Sequence, residues 1–284
     1  MDLSLAGVVI LYNPDDAVFE NLKSYAPFLQ MLYVIDNSER INEPLITKIK
    51  AYFSVQYIPH HDNLGISYSL NEALQLAKGK YQWLLTMDQD SRFYENSFEV
   101  YRSQLADLPE NIYGICPTYE YPEHTGKDDM PGELTAVEKG ITSGNIIHVD
   151  IALKCGGFDE NLFIDEVDHE FCYRCNRYGY KLLKYSPNIL LHSLGHPIYA
   201  KFLGRSFKAF NENYVRQYYI FRNKLYISAT YPEKRWSYYK DLCKWTIKIC
   251  LAEPDKWRKL RYAFLGCRDF KRNKMGKLKE KSKS

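Results

Sequence analysis

The chain contains no uninterrupted apolar run of the roughly 18 residues that a membrane-crossing helix needs. It also lacks the basic stretch that opens a secretory leader, since it begins Met1-Asp2-Leu3-Ser4, so no signal peptide is expected. Three glycine signatures are missing as well. Without GxGxxG, a dinucleotide oxidoreductase is disfavoured, and without GxxxxGK followed by Ser or Thr, so is a P-loop NTPase. Without GxSxG, an α/β-hydrolase is disfavoured too. Cysteine is sparse and odd in number: seven residues with no repeated metal spacing. Cys172 and Cys175 form a CxxC inside a helical pattern and have no second pair, so both read as packed thiols of a reducing, cytoplasmic compartment.

A near-neutral sum of charges hides a strong split. The net charge is +3, yet residues 1–200 hold 15 Lys and Arg against 28 Asp and Glu, and residues 201–284 hold 23 against 7. A basic end of this size implies contact with a polyanion, either nucleic acid or an anionic membrane surface. With 284 residues and 45% hydrophobic content there is material for one large domain or a domain with an appendage.

The stretch with the most chemical content is Tyr81-Gln82-Trp83-Leu84-Leu85-Thr86-Met87-Asp88-Gln89-Asp90. An apolar strand ends in two carboxylates at i and i+2, which lie on one face if the strand continues and can converge on one cation at its end. Two like charges there gain nothing in stability, whereas a hard cation bound to a diphosphate uses one or two carboxylates together with phosphate oxygens. The competing reading is a solvated turn after an ordinary strand.

Around that stretch the chain alternates strand and helix. Leu5–Leu11, Met31–Ile35 and Phe53–Ile58 read as strands, the first buried on both faces as in a parallel sheet. Asn13 with Pro14 is expected to cap a helix whose inner face is Val18, Leu22 and Tyr25. A second helix carries Ile66, Leu70, Ala73, Leu74 and Ala77 and ends at Lys78-Gly79. In sheets of this kind ligands bind beyond the carboxyl ends of the strands, where Tyr12-Asn13, Asp36-Asn37-Ser38 and Asp88 would lie. A helix near Asn96–Leu105 and a strand at Ile112–Pro117 follow, then a polar segment at 119–140 that reads as a mobile surface loop, and Ile141–Val149 returns to the sheet. Asp165, Glu166, Asp168 and Glu170 crowd the start of a helix, where some of the charge suits the helix dipole. Asp168 lies near the inner face, three residues before Phe171, which suits a general base. Lys181–Tyr185 and Ile189–Leu191 read as two short strands, and His192 gains meaning only if it faces Asp90. From Tyr199 onward aromatic and basic residues interleave in amphipathic helices, with a disordered Lys-rich end at Lys271–Ser284.

Taken together these pieces resemble family 2 glycosyltransferases of the nucleotide-diphospho-sugar transferase type, and within them the bacterial rhamnosyltransferase group. The resemblance runs over roughly residues 4–230. It is carried by Val9–Pro14, Val34–Ser38, Asn63-Leu64-Gly65-Ile66 with Asn71, Asp88-Gln89-Asp90, Thr142-Ser143-Gly144, Gly157–Glu160, Phe163-Ile164-Asp165 with Val167–Glu170, His192–Gly195, and Arg222-Asn223. It implies the GT-A fold: a mixed, mostly parallel sheet flanked by helices, with a catalytic domain over 1–200 and a basic helical extension over 201–284. The donor half would be about 1–90 and the acceptor half about 91–200. By this resemblance Tyr12, Asn13, Asp36, Asn37, Asn63, Gly65 and Asn71 line the nucleotide-sugar site. Asp88 approaches the ribose and diphosphate, Asp90 and His192 ligate Mg²⁺ or Mn²⁺ with Asp88 as a further candidate, and Ser143, Gly144 and Asp165 lie on the sugar and acceptor side. Asp168 corresponds to the base. The residue before it, usually acidic, is Val167 here, which leaves Asp165 and Glu166 as rivals.

The function so implied is inverting, metal-dependent transfer of a sugar from a nucleotide donor, first of all dTDP-rhamnose and otherwise a UDP-hexose. The acceptor would be a lipid-linked glycan in cell-surface polysaccharide synthesis. The basic C-terminus would rest on the inner face of the bacterial plasma membrane, with monomer and dimer both open and no nucleic acid expected. The readings of another class are a catalytically silent scaffold of the same fold and a polyanion-binding protein acting through residues 201–284. A nucleotidyltransferase would want a basic glycine-rich loop where Tyr12-Asn13-Pro14-Asp15 stands.

Overall fold

Parallel pairing starts at the first apolar run. In the computed structural model, which describes residues 3–120, 132–192, 198–202 and 205–279, the first strand-helix alternation gives β1 (Leu5–Leu11), α1 (Ala17–Lys23), β2 (Met31–Asp36), α2 (Glu43–Tyr52), β3 (Val55–Pro59), α3 (Ile66–Ala77) and β4 (Trp83–Asp88). These strands pair in parallel in the order β3-β2-β1-β4, with Ile10 opposite both Ile35 and Asp88. Buried on both faces, β1 needs the unbroken apolar sequence it has. All four strands therefore deliver their carboxyl ends to one edge, and with them Tyr12, Asp36, Pro59 and Asp88.

The sheet then turns antiparallel. After β5 (Arg92–Phe93) and α4 (Ser97–Ser103) come β6 (Ile112–Glu120), β7 (Glu133–Val137), β8 (Asn145–His148), α5 (Val149–Lys154), α6 (Val167–Arg177) and β9 (Lys181–Leu191). β8 runs antiparallel to β4 and β6, β9 parallel to β6, and β5 and β7 antiparallel to β9. The core of this layer joins Val9, Leu11, Leu85, Met87, Ile115, Ile146 and Leu190. The expected mixed, mostly parallel architecture is the one found.

Several local expectations are corrected. Asn13 does not cap a helix. Its backbone is left-handed (φ 48°), its N–H goes to Ser38 Oγ at 2.7 Å, and α1 starts only after Asp16. Pro14 disfavours the right-handed helical conformation for the residue before it, so no helix starts at Asn13. The 119–140 segment is not all loop, because β7 pairs along β9 from Val137 opposite Leu182 to Glu133 opposite Ser186; residues 121–131 lie outside those described. The two short strands expected at 181–191 are one, with register shifts where Pro117 and Thr118 oppose Tyr185 and Asn188. α2, α5 and a hairpin of β10 (Ile198–Phe202) and β11 (Arg205–Ala209) were not anticipated.

The chain divides into two compact units, Met1–Asp159 with Asp168–Ser193 and Glu160–Val167 with Leu194–Ser284. Glu160–Val167, whose last residue opens α6, belongs to the second unit. Among the described residues that unit holds β10, β11 and the helices α7 (Tyr214–Thr230), α8 (Arg235–Ala252) and α9 (Lys256–Lys271). A Cβ on Gly266 would fall 2.3 Å from the Tyr218 carbonyl oxygen, so α7 and α9 approach as closely as they do only because that position has no side chain. Arg222 is fully buried in α7; it donates to Gly276 O at 2.7 Å and lies over the rings of Tyr218 and Tyr219. Leu278 N donates to Tyr219 Oη at 2.8 Å. The Lys-rich end is therefore docked on α7 as far as Leu278 rather than disordered; of this end, 280–284 lie outside the described residues.

One buried ion pair in this unit carries a stability prediction. Lys259 Nζ lies 2.8 Å from Glu253 Oε2 and 2.9 Å from Asn211 Oδ1, with both charged side chains almost fully enclosed. Removing one partner strands the other charge in a low dielectric, which costs about 3–5 kcal/mol. Lys259→Met is expected to lower the unfolding free energy by about that amount in urea titration, and Lys259→Met with Glu253→Leu to regain most of it.

Candidate functional site

The site grows from the carboxyl end of β4. Gln89 fixes the geometry there: its side-chain amide accepts from Tyr12 N at 2.9 Å and donates to Tyr12 O at 3.2 Å, while its own carbonyl accepts from Asn21 Nδ2. The residue between the two aspartates thus ties the end of β4 to the end of β1, with both carboxylates left at the sheet edge. Asp90 is half-exposed, and Ser91 just after it is fully buried.

His192, at the end of β9, does face Asp90. Its Nδ1 is 3.9 Å from Asp90 Oδ1 and 2.7 Å from Ser91 Oγ, a hydroxyl that donates to Asp90 Oδ1 at 3.4 Å. One ligand atom each from Asp88, Asp90 and His192 can be chosen so that all lie within 4.8 Å of one another. Two carboxylates and an imidazole are hard to borderline donors suited to Mg²⁺ or Mn²⁺, and a serine that orients the imidazole is the kind of support such ligands have. The donor set fits a divalent cation. Burial of Tyr25, with the Asp88 charge adding to it, pushes that phenol well above its ordinary range, so it stays neutral beneath the site.

A second acid is tied to this edge through the 142–144 turn. Asp88 N donates to Ser143 Oγ at 3.4 Å, and Gly144 N donates to Thr86 O at 2.8 Å. Gly144 has φ 82°, and a Cβ there would meet Pro117 at 2.6 Å. Thr142 N donates to Asp168 Oδ2 at 3.2 Å, and Asp168 Oδ1 accepts from His169 N at 2.8 Å. Asp168 and Asp88 are therefore held by adjacent residues of one short turn.

The rival acids are engaged elsewhere. Asp165 Oδ1 accepts from Arg216 Nε and a terminal guanidinium nitrogen at 3.2 Å each. Glu166 pairs with Lys224 at 2.9 Å and accepts from Tyr238 Oη at 2.7 Å. Both residues have left-handed backbones (φ 63° and 65°), an arrangement that costs roughly 1–3 kcal/mol per residue and persists where neighbours over-determine it. Asn223 Nδ2, donating to the carbonyls of Ile164 and Asp165, and the two ion pairs supply that hold.

Of the residues expected around a nucleoside, Tyr12 and Asn13 are exposed at the end of β1 and Asn63 is half-buried. Asp36 and Asn37 are enclosed. Asp36 accepts from Ser38 N and Tyr57 Oη at 2.9 Å each, and Asn37 bonds Ser69 and His60. His60 in turn meets Glu72 Oε2 at 2.8 Å, a link that no sequence pattern signals. Gly65 (φ 92°) starts α3, its N–H donating to Asn63 Oδ1. Asn71 stands within α3. It clamps the backbone of Phe158 from both sides, at 2.9 and 2.7 Å. Sequence reasoning also missed Gln89, Ser91 and Thr142, although Gln89 lies between the two aspartates.

Cys116, Cys155, Cys172 and Cys175 are buried. Burial pushes the Cys172 thiol up to about 11. A hydrogen bond with Cys175 holds the Cys155 thiol below its usual value and raises its partner's. Among the described residues, Asp88, Asp90 and His192 form the cluster that could hold a metal ion.

Residues 10–155 match the family model described as glycosyl transferase family 2. The dTDP-rhamnosyl transferase RfbF of Shigella flexneri is 28% identical over 244 residues, 78% of this chain and 79% of its own. Among solved structures, S. aureus TarS superposes with a TM-score of 0.54 at 16% identity over 67% of this chain and 37% of its own. GalNAc-T7 with UDP, GalNAc and Mn²⁺ gives 0.54 at 15% over 71% and 45%. The chain thus spans less than half the length of these two structures, whose likeness is one of fold.

Proposed function

Given that the chain belongs to glycosyl transferase family 2 and has the GT-A fold, we propose that it transfers rhamnose from dTDP-rhamnose, with inversion, to a lipid-linked glycan at the inner face of the plasma membrane. The observation that carries the transfer chemistry is the Asp88, Asp90 and His192 cluster at the carboxyl ends of the parallel strands. A divalent cation held there, Mg²⁺ or Mn²⁺, would neutralise the charge that develops on the leaving nucleoside diphosphate; the GalNAc-T7 structure contains Mn²⁺. The exposed Tyr12, with Asn13 and Asn63, lines the nucleoside. Asp36, Asn37 and Asn71, spent on the protein, hold the loops that present it. Asp168 takes the proton of the acceptor hydroxyl, and the oxygen attacks the anomeric carbon opposite the leaving group. Transfer therefore inverts configuration with one carboxylate base, where a retaining hydrolase needs a nucleophile as well. Ser143 and Gly144 border the sugar between that base and Asp88.

The identity to RfbF favours rhamnose over a UDP-hexose. Release of nucleoside diphosphate from dTDP-rhamnose, UDP-glucose, UDP-galactose and UDP-N-acetylglucosamine, each with Mn²⁺ and a membrane extract as acceptor, tests it. Release from dTDP-rhamnose alone is the expected result. Release only from one of the UDP-sugars would move the assignment to that hexose.

A further inference from the structure

The second unit leaves an apolar face uncovered on α8 and a mixed aromatic and basic face on α9. On α8 the side turned inward carries Tyr238, Leu242 and Ile249. A different side shows Trp236, Tyr239, Cys243, Ile247, Cys250 and Leu251, spaced i, i+3, i+7, i+11, i+14, i+15, all exposed. At 3.6 residues per turn these six fall within about a third of the helix circumference. On α9 Ala263 and Gly266 face inward, while Trp257, Arg261, Phe264, Arg268 and Lys271 form an outward line at i, i+4, i+7, i+11, i+14. Trp236, Trp257 and Phe264 are 74%, 80% and 71% exposed. Solvating three large aromatic side chains to this degree is a cost with no return inside the unit itself.

The charges beside these faces have one sign. α8 carries Arg235, Lys240, Lys244 and Lys248 against the single acid Asp241, which lies 4.0 Å from Lys244. α9 carries six Lys and Arg, of which Lys259 is the buried partner of Glu253, against Asp269, which binds Arg268 at 2.9 Å. A second copy laid on this surface would set lysine against lysine. Nucleic acid would use the cations and leave Ile247 and Leu251 wet. A bilayer with anionic headgroups satisfies both at once, because apolar side chains enter the acyl boundary while Lys and Arg meet lipid phosphates. No helix among the described residues is long and apolar enough to cross the membrane, so the contact would lie in its plane.

We propose that the exposed faces of α8 and α9 form a docking surface for anionic phospholipid, with Trp236, Ile247, Leu251, Trp257 and Phe264 as the inserted side chains. The proposal rests on the reading that the acceptor is membrane-borne. The test is co-sedimentation of the full chain with phosphatidylcholine vesicles with and without phosphatidylglycerol, which involves no sugar donor, so its failure would leave sugar transfer standing. Binding is expected to need the anionic lipid and to weaken with salt. Trp257→Ser with Phe264→Ser should lower partitioning about tenfold or more with an unchanged far-ultraviolet spectrum, since both side chains are already solvated. Arg261→Ser with Lys271→Ser should lower it and flatten the salt dependence. Equal binding to both vesicle types would overturn the proposal, as would anionic binding indifferent to Trp257→Ser with Phe264→Ser. Dimerisation abolished by that pair without vesicle binding would assign the face to a second copy, and salt-sensitive duplex DNA binding without vesicle binding would assign it to nucleic acid.

Discussion

Asp168→Asn is expected to lower kcat by about 10²–10⁴, the range a positioned general base contributes, while leaving donor affinity unchanged. The substitution is nearly isosteric, and the asparagine oxygen can still accept from Thr142 N or His169 N, so the turn that carries Ser143 should keep its place. The rivals supply the contrast. Glu166→Gln weakens the pairing with Lys224 and the bond from Tyr238, and Asp165→Asn weakens the grip of Arg216 on a left-handed segment. Both should lower Tm more than they lower kcat per folded enzyme. Steady-state kinetics beside thermal melts separates the cases. A Glu166→Gln enzyme with wild-type Tm and collapsed kcat would transfer the base role to Glu166.

Asp90→Asn is expected to have an effect of similar size by another route. A cation at a leaving diphosphate supplies several kcal/mol of charge stabilisation, and at 1.36 kcal/mol per decade loss of a ligand carboxylate translates into about 10²–10³ in turnover. Half-exposed, with a 3.4 Å bond from its neighbour Ser91 and a 3.9 Å approach to His192, Asp90 contributes little to folding, so Tm should not move. Ser91→Ala should fall between, weakening metal affinity about 10–100-fold through the loosened His192 ring. Mn²⁺ titration of nucleotide release in the three proteins orders them. Wild-type turnover in Asp90→Asn at low Mn²⁺ would remove Asp90 from the site.

The parallel half of the sheet was legible because burial on both faces demands apolar runs, and Leu5–Leu11 is such a run, with Trp83–Met87 departing from one only at Thr86. The chemistry was legible where a residue type has no structural reason to stand, as with two aspartates at a strand end. What escaped was set by distant partners. Glu133–Val137 is polar enough to read as a loop and becomes a strand because β9 offers it an open edge. The Lys-rich end reads as disordered and is ordered by the buried guanidinium of Arg222 and the hydroxyl of Tyr219. Asn71 also clamps the backbone of Phe158, a contact that its neighbours in sequence do not signal. Neither spacing nor composition encodes which backbone a side-chain amide will find.

Calorimetric titration of dTDP into the wild-type protein and Asp90→Asn, each with and without Mn²⁺, tests the account at its centre. Binding that requires Mn²⁺ in the wild type and is lost in Asp90→Asn is the predicted result. Equal dTDP affinity in all four titrations would contradict a donor diphosphate anchored through the Asp88, Asp90 and His192 cluster.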